Sequence, residues 1–270
     1  MAEALLPPNE EASPRALHVL VVEDNRINQT VAIRRIEKTG CTVEVAENGE
    51  VAVRRVAEQH FDVVFMDCQM PIMDGYEATR QIRRRPEHAR LPIVAMTAGA
   101  SEEDRQRCLD AGMSEYLCKP LQPADLERIV NGLRHAVADP ELPADVSTTS
   151  DVVDEAAIRS LFDDDVEAML ELIGLIKVDL PRYAARLATH VEQGEWIDVA
   201  RLAHTIKGAA SNVSGAAVAA AAQVVEHASR RGDGDAVTAA TAPLLTAVGT
   251  LVEALTAWGT RLANRQANAA

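Results

Sequence analysis

Five polar residues close four short apolar runs in the first half of this 270-residue chain. Glu23 and Asp24 follow LHVLVV (17–22), Asp67 follows FDVVFM (61–66), Thr97 follows LPIVAM (91–96) and Lys119 follows EYLC (115–118). Three carboxylates, a hydroxyl and an ammonium suit one chemistry if they share a site. Crowded carboxylates repel unless a cation holds them, and an all-oxygen set with few ligands suits Mg²⁺. An aspartate beside such an ion, with an ammonium and a hydroxyl nearby, can attack a phosphoryl group to give an aspartyl phosphate. The cation, the lysine and the threonine would then balance the three equatorial oxygens. Taken singly, Asp24 and Thr97 could merely cap the helices that follow, and Lys119 could be a surface charge. Polar groups closing four of the five apolar runs argue against that reading for the set.

A second candidate lies in LAHTIKGAASNVSG (202–215). This stretch is helical by composition, yet it contains Gly208, which costs roughly 0.5–1 kcal/mol relative to alanine inside a helix. At about 100° per residue, Val199, Leu202, Ala203, Ile206, Ala210 and Val213 form one apolar stripe, and His204 falls on the other side with Lys207, Gly208 and Ser211 around it. The wheel therefore predicts a solvent-facing histidine. Such an imidazole can accept a phosphoryl group, with Gly208 clearing the approach and Lys207 placing positive charge beside the incoming oxygens. The other six histidines read as ordinary surface residues.

The elements that must position these groups divide in two. Across 17–137 the apolar runs, with TVEVA (42–46) as the fifth, alternate with helical patterns near 26–38, 49–59, 75–84, 101–111 and 123–137. Five such alternations predict a doubly wound parallel sheet, whose ligands bind beyond the carboxyl ends of the strands. ADPELPADVSTTSDV (138–152) has prolines, Ser/Thr and acids but no periodicity, and reads as a linker. From 153 to 265 apolar residues recur at helical spacing, with breaks near Gly194, Ser214-Gly215 and Gly232-Gly234, which suggests an antiparallel helical bundle. Residues 1–16 read as a flexible leader.

Composition narrows the function. A formal charge of −14 argues against nucleic acid as a general partner. Aromatics are only 3% of the chain, so the core is expected to be aliphatic and alanine-rich. The N-terminal residues are acidic and broken by prolines, unlike an export signal, and no run approaches the ~20 apolar residues of a membrane span. Cys41, Cys68, Cys108 and Cys118 show no CxxC spacing, so reduced thiols and a cytoplasmic location are expected.

VVEDNRINQ, VVFMDCQMPIMDGYEATR, IVAMTAG and GMSEYLCKP, in that order across residues 17 to about 137, resemble the receiver domain of response regulators, in the version attached to hybrid sensor kinases. The resemblance implies a flavodoxin-like five-stranded sheet of order 2-1-3-4-5. It makes Asp67 the phosphoacceptor and Asp24 a Mg²⁺ ligand helped by Glu23 through water, with the main-chain carbonyl of Gln69 as a further ligand. Thr97 and Lys119 would contact the phosphoryl group, and Tyr116 would be the aromatic whose rotamer reports phosphorylation. Lys119-Pro120 would be cis, and Met70-Pro71 with Asp74-Gly75 would shape the loop after Asp67. The segment from about Asp154 to Arg261 resembles the histidine phosphotransfer (Hpt) domain, whose HxxKG hallmark stands here as His204 to Gly208. That resemblance implies a four-helix bundle carrying a phosphohistidine.

No GxxxxGK[ST] phosphate loop or second set of ATP-binding motifs is present, so the chain is not expected to be the autokinase. The reading that follows is a phosphorelay protein that needs Mg²⁺. A sensor histidine kinase would stand upstream and the receiver of a response regulator downstream. The rival is a phosphorylation-dependent binding module in which the two halves serve separate pathways. A hydrolase of the haloacid dehalogenase type would need a second acid two residues after Asp67, where Gln69 stands.

Overall fold

The computed structural model describes residues 16–97, 102–135 and 153–267. The proposed leader and linker lie outside the described residues, apart from Ala16. Strands β1 (His18–Val22), β2 (Thr42–Ala46), β3 (Val63–Asp67), β4 (Ile93–Thr97) and β5 (Glu115–Cys118) form one parallel sheet of order β2-β1-β3-β4-β5. Between and after them run α1 (Arg26–Glu37), α2 (Gly49–Glu58), α3 (Gly75–Arg83), α4 (Glu102–Asp110) and α5 (Pro123–His135), with a 3₁₀ turn at Pro86–His88.

The period-2 alternation of a strand explains how the sheet is covered on both faces. Leu20, Val22, Val64 and Met66 pack on one side with Ala52, Val56, Ala78 and Ile82 of α2 and α3. Val19, Val21, Val63 and Phe65 pack on the other with Ala32 and Ile36 of α1 and Leu126, Ile129 and Val130 of α5. The expected element boundaries hold to within about two residues.

The remaining described residues are mainly helical: α6 (Glu155–Leu161), α7 (Val166–Gln193), α8 (Trp196–Ser211), α9 (Ala216–Arg230) and α10 (Gly234–Ala267). Helices α7 to α10 make the four-helix bundle, and the breaks at Gly194, Ser214-Gly215 and Gly232 fall where the sequence places them. Gly194 closes α7 in the left-handed conformation at φ 71°. The break between α6 and α7 was not anticipated. Its signal is the run Asp163-Asp164-Asp165: the first two adopt positive φ, and Asp165 caps α7 by accepting from Ala168 N at 3.1 Å.

One expectation needs correction. Gly234–Gln266 is, by length and composition, apolar enough to cross a membrane, with a mean hydropathy of 1.4, because alanine, leucine and threonine dilute its few charges. Its stripe of Val237, Leu244, Val248, Leu251, Leu255 and Trp258 is buried in the bundle core. A core helix passes the same test.

The two halves are in contact. Ile27 and Val31, on the outer face of α1, belong to the same buried apolar cluster as the bundle interior. Around this contact, Arg34 lies over the Phe162 ring at 5.8 Å, and Lys38 Nζ reaches Asp163 Oδ1 at 2.6 Å and the Ser160 carbonyl at 2.5 Å.

Candidate functional site

The strand ends bring Glu23, Asp24 and Asp67 together, with carboxylate oxygens that lie within 4.8 Å of one another. Lys119 bridges two of them: its Nζ is 2.6 Å from Glu23 Oε2 and 2.7 Å from Asp67 Oδ2. Its side chain is 7% exposed, so it is no surface charge. Nor does Asp24 cap α1. That role belongs to Asn25, whose Oδ1 accepts from Ile27 N at 2.9 Å and Asn28 N at 3.2 Å. Thr97 is buried at the end of β4, and its carbonyl accepts from Lys119 N at 2.7 Å. The Lys119-Pro120 bond is cis. Tyr116 is half-buried on β5 against the α2–α3 side of the sheet.

Electrostatics explain what this rim can hold. Burial, then the neighbouring Glu23, pushes the Asp24 carboxyl up to about 6, with Lys119 opposing. Burial likewise raises Asp67 to about 6, against the pull of Lys119. Burial would lower Lys119, yet the Asp67 and Glu23 carboxylates overcome it and hold the ammonium above its ordinary value. One lysine therefore does not neutralise three carboxylates. An oxygen-only set in which the Asp24 and Asp67 carboxyls resist ionisation fits a hard divalent cation.

Backbone shape at Asp67 is set by Gly75. A Cβ at position 75 would collide with the main-chain oxygen of Asp67, so the α3 N-terminus can close under the strand end only with glycine there. Asp67 Oδ1 accepts from Gln69 N at 3.1 Å, which helps fix the carboxylate.

The bundle supplies the facing half. His204 on α8 is 7% exposed, which corrects the expectation of a solvent-facing ring. The wheel had the geometry of the bundle right, since His204 lies off its core stripe; its Nδ1 is held by Glu226 of α9, and α1 of the receiver approaches α8 one turn on. The histidine is near enough to Asp67 for its positive form to lower the Asp67 pKa, a smaller effect than burial or Lys119. Gly208 faces the receiver-side α1, where an added Cβ would stand 3.1 Å from Asn28 Nδ2. The bare backbone one turn after His204 is thus where α1 approaches α8.

Lys207 departs from the expectation as well. Its Nζ bonds Glu226 Oε2 at 2.7 Å rather than standing clear for incoming oxygens. Glu226 was missed in the sequence and is the hub of this half. Its Oε1 lies 3.1 Å from His204 Nδ1 and accepts from Arg230 Nη2 at 2.6 Å. Burial would raise its carboxyl, but the His204 and Lys207 contacts hold it down at about 2. The available signal was an acid in register with the buried positions Ala222 and Ser229 of α9. Arg230 then crosses to Gln69 Oε1 at 3.0 Å.

Asn28 was missed too, although asparagine inside a helix invites a reason. Its Nδ2 donates to Glu23 Oε1 at 2.9 Å, and its Oδ1 accepts from Asn212 Nδ2 at 2.9 Å. One side chain therefore joins the carboxylate rim to the bundle.

Comparison with known proteins agrees with both halves. The response regulator receiver domain family matches residues 19–131, and the Hpt domain family matches residues 171–258. A probable histidine kinase 2 of Oryza sativa subsp. indica is 38% identical over 144 residues, 47% of this chain and 14% of that protein. Hybrid signal transduction histidine kinase A of Dictyostelium discoideum is 43% identical over 112 residues, 40% of this chain and 5% of that protein. The chain thus spans a small fraction of these relatives. Among solved structures, the receiver domain of a Pseudomonas aeruginosa sensor histidine kinase, with a magnesium ion in its active-site cleft, is 42% identical. It covers 45% of this chain and 99% of its own, with a TM-score of 0.43. A Saccharomyces cerevisiae complex of a histidine phosphotransfer protein with the receiver of its downstream regulator shows 33% identity over 44% of this chain and 90% of its own, with a TM-score of 0.41.

Proposed function

We propose that this chain, which matches the response regulator receiver family over residues 19–131 and the Hpt family over residues 171–258, is a two-component phosphorelay protein whose own Asp67 and His204 exchange a phosphoryl group. The observation that carries this reading is the docked arrangement itself: Asn28 bridges Glu23 to Asn212, and Arg230 bridges Glu226 to Gln69, so the two acceptors are tied from both sides. We take the receiver as 17–137 and the Hpt domain as 153–265, joined by 138–152.

Glu226 holds His204 Nδ1, which leaves Nε2 as the nucleophile and leaving group. In the forward step the P–O bond to Asp67 breaks as a P–N bond to Nε2 forms, and the Asp67 carboxylate is restored; the return step is the reverse. Lys119 follows the charge on the phosphoryl oxygens, Thr97 donates to one of them, and Lys207 keeps Glu226 ionised beside the imidazole. Glu23, Asp24, Asp67 and the Gln69 carbonyl would hold Mg²⁺, which when bound supplies positive charge to the phosphoryl oxygens. Tyr116, at the edge of the sheet, would report the change at Thr97. Burying the exchange between two domains also keeps water from the acyl phosphate.

A sensor histidine kinase would supply the phosphoryl group and the receiver of a response regulator would take it on. The chain itself would carry no autokinase activity. A cytoplasmic setting suits four free thiols. The rival, two modules serving separate pathways, gains nothing from side chains that cross between the two acceptors.

The test is labelling from a radiolabelled phospho-kinase, with acid-labile and alkali-labile phosphate scored separately. His204→Gln should keep label on Asp67 and abolish onward transfer to a separate receiver. Onward transfer that survives in that variant would refute the assignment of His204.

A further inference from the structure

Cys68 and Cys108 bring their sulfurs to 3.8 Å inside the receiver half, close enough for one thiol to donate to the other. Cys68 follows Asp67 directly at the end of β3, and Cys108 lies on α4, so the contact joins elements 40 residues apart in the chain. The hydroxyl of the buried Tyr76 bonds the same two sulfurs, and Arg107 lies over its ring at 4.7 Å. Neither thiol has a part in phosphoryl transfer.

These contacts make the two sulfurs unequal. The bond from Cys68, then the Tyr76 hydroxyl and the Arg107 guanidinium, hold the Cys108 thiol down at about 7, against burial and Asp104. The same bond with Cys108, and then burial, pushes the Cys68 thiol up. A nucleophilic thiolate beside a protonated resolving thiol is the arrangement that closes to a disulfide.

The surroundings decide which partner moves. Cys68 is pinned through its main chain: its N–H donates to the Met96 carbonyl and its carbonyl accepts from Gly75 N, each at 3.2 Å. Helix α4 is held lightly. From 104 to 110 Cys108 alone is buried, and Leu109 beside it is 43% exposed. A disulfide sets its sulfurs at about 2.05 Å, so the gap must close by roughly 1.8 Å, and α4 is the side free to travel. Cys68 and Cys108 are both buried, and the light hold on α4 lets a local opening admit a small oxidant.

We propose that Cys68 and Cys108 form a redox site, which a peroxide oxidises to an intramolecular disulfide that staples α4 to the residue after Asp67. The Cys108 thiolate attacks one peroxide oxygen; the O–O bond breaks, an S–O bond forms, and the departing hydroxide takes up the proton that the thiol gave up. The Cys68 sulfur then attacks the Cys108 sulfur. The S–S bond forms as the S–O bond breaks, and the second hydroxide leaves as water with the Cys68 proton. Two thiols lose two electrons, and hydrogen peroxide becomes two waters. A dithiol reverses the change, so in a reducing compartment the disulfide is transient. The rim around Asp67 thereby gains an input that is independent of the phosphoryl donor.

The test treats the full chain, freed of reductant, with hydrogen peroxide near neutral pH. Remaining thiols are alkylated under denaturing conditions and mapped by mass spectrometry before and after dithiothreitol. The expected product is lighter by two hydrogens, with Cys68 and Cys108 protected from alkylation and their peptides joined until reduced. It should still form in Cys118→Ser and be lost in Cys68→Ser and in Cys108→Ser, whose amide spectra report an intact fold. Hydrogen exchange of the α4 amides should slow at least about tenfold in the oxidised chain and recover with dithiothreitol. If Cys68 and Cys108 stay alkylatable at peroxide doses that oxidise Cys118, or Cys108 reaches a sulfinic acid with Cys68 still free, the pair is a packing contact and the proposal fails. A disulfide that leaves α4 exchange unchanged overturns the staple.

Discussion

Lowering the pH from 7 to 5 should strip Mg²⁺ from the carboxylate rim. Asp24 and Asp67 are both pushed up to about 6, first by burial, and both must be ionised to hold the cation. A group titrating near 6 is about 90% ionised at pH 7 and about 10% at pH 5, so two independent groups reduce affinity roughly 100-fold. Ordinary aspartates would lose less than about twofold over the same interval. The metal-free fold should move the other way. A carboxyl raised in the folded state contributes stability that is full below its unfolded value of 3.8 and is lost as pH rises through about 6. The metal-free protein should therefore gain stability at these two positions as pH falls from about 6 toward 4. Calorimetric Mg²⁺ titrations at pH 7, 6 and 5 in a non-chelating buffer read the affinity. A change of less than about threefold would show that the two carboxyls are not raised, and the account of the rim would be wrong.

Asp24→Asn removes one crowded charge and should stabilise the metal-free fold at pH 7 by on the order of 1–3 kcal/mol, seen as a higher Tm, while abolishing Mg²⁺-dependent labelling of Asp67. A lower Tm would contradict the repulsion argument. Glu226→Ala leaves His204 unheld and Lys207 and Arg230 unmatched; it should cost about 1–3 kcal/mol and slow labelling of His204 while sparing Asp67. Gly208→Val should keep the bundle folded but undock it, moving the α1 amide resonances around Asn28; unchanged resonances would mean that α8 does not meet α1 in solution. Lys38→Ala should change docking little, about 0–1 kcal/mol, because Asp163 across the pair is 79% exposed, and a larger loss would overturn that ranking of the contacts.

The sheet was legible because strand periodicity and strand-end chemistry are local. Glu23, Asp24, Asp67, Thr97 and Lys119 each close an apolar run, and parallel topology brings run ends together. The His204 wheel was legible for the same reason. That the helix of His204 must lie against the helix of 26–38 follows from bringing the histidine to Asp67, but the side chains that meet there were not legible, since no spacing in the chain encodes that α1 buries Ile27 and Val31 against the bundle. His204 therefore reads as exposed in the sequence, and Lys207 as free, until α1 and Glu226 are in place. Glu226 itself hides in an alanine-rich helix whose core stripe it interrupts. The α6–α7 break was lost because three aspartates resemble a solvated charge run, whereas two of them turn the chain through positive φ.

The direct test of exchange between Asp67 and His204 within one chain is its dependence on concentration. The full chain, labelled on Asp67 and freed of donor, is rapidly quenched over a time course at protein concentrations spanning about two orders of magnitude. The amounts of phospho-Asp67 and phospho-His204 are then read from their acid and alkali lability. A docked pair predicts first-order loss from Asp67 matched by gain on His204, with one rate constant at every dilution. A rate that scales with protein concentration, or loss from Asp67 to free phosphate with none reaching His204, would contradict it.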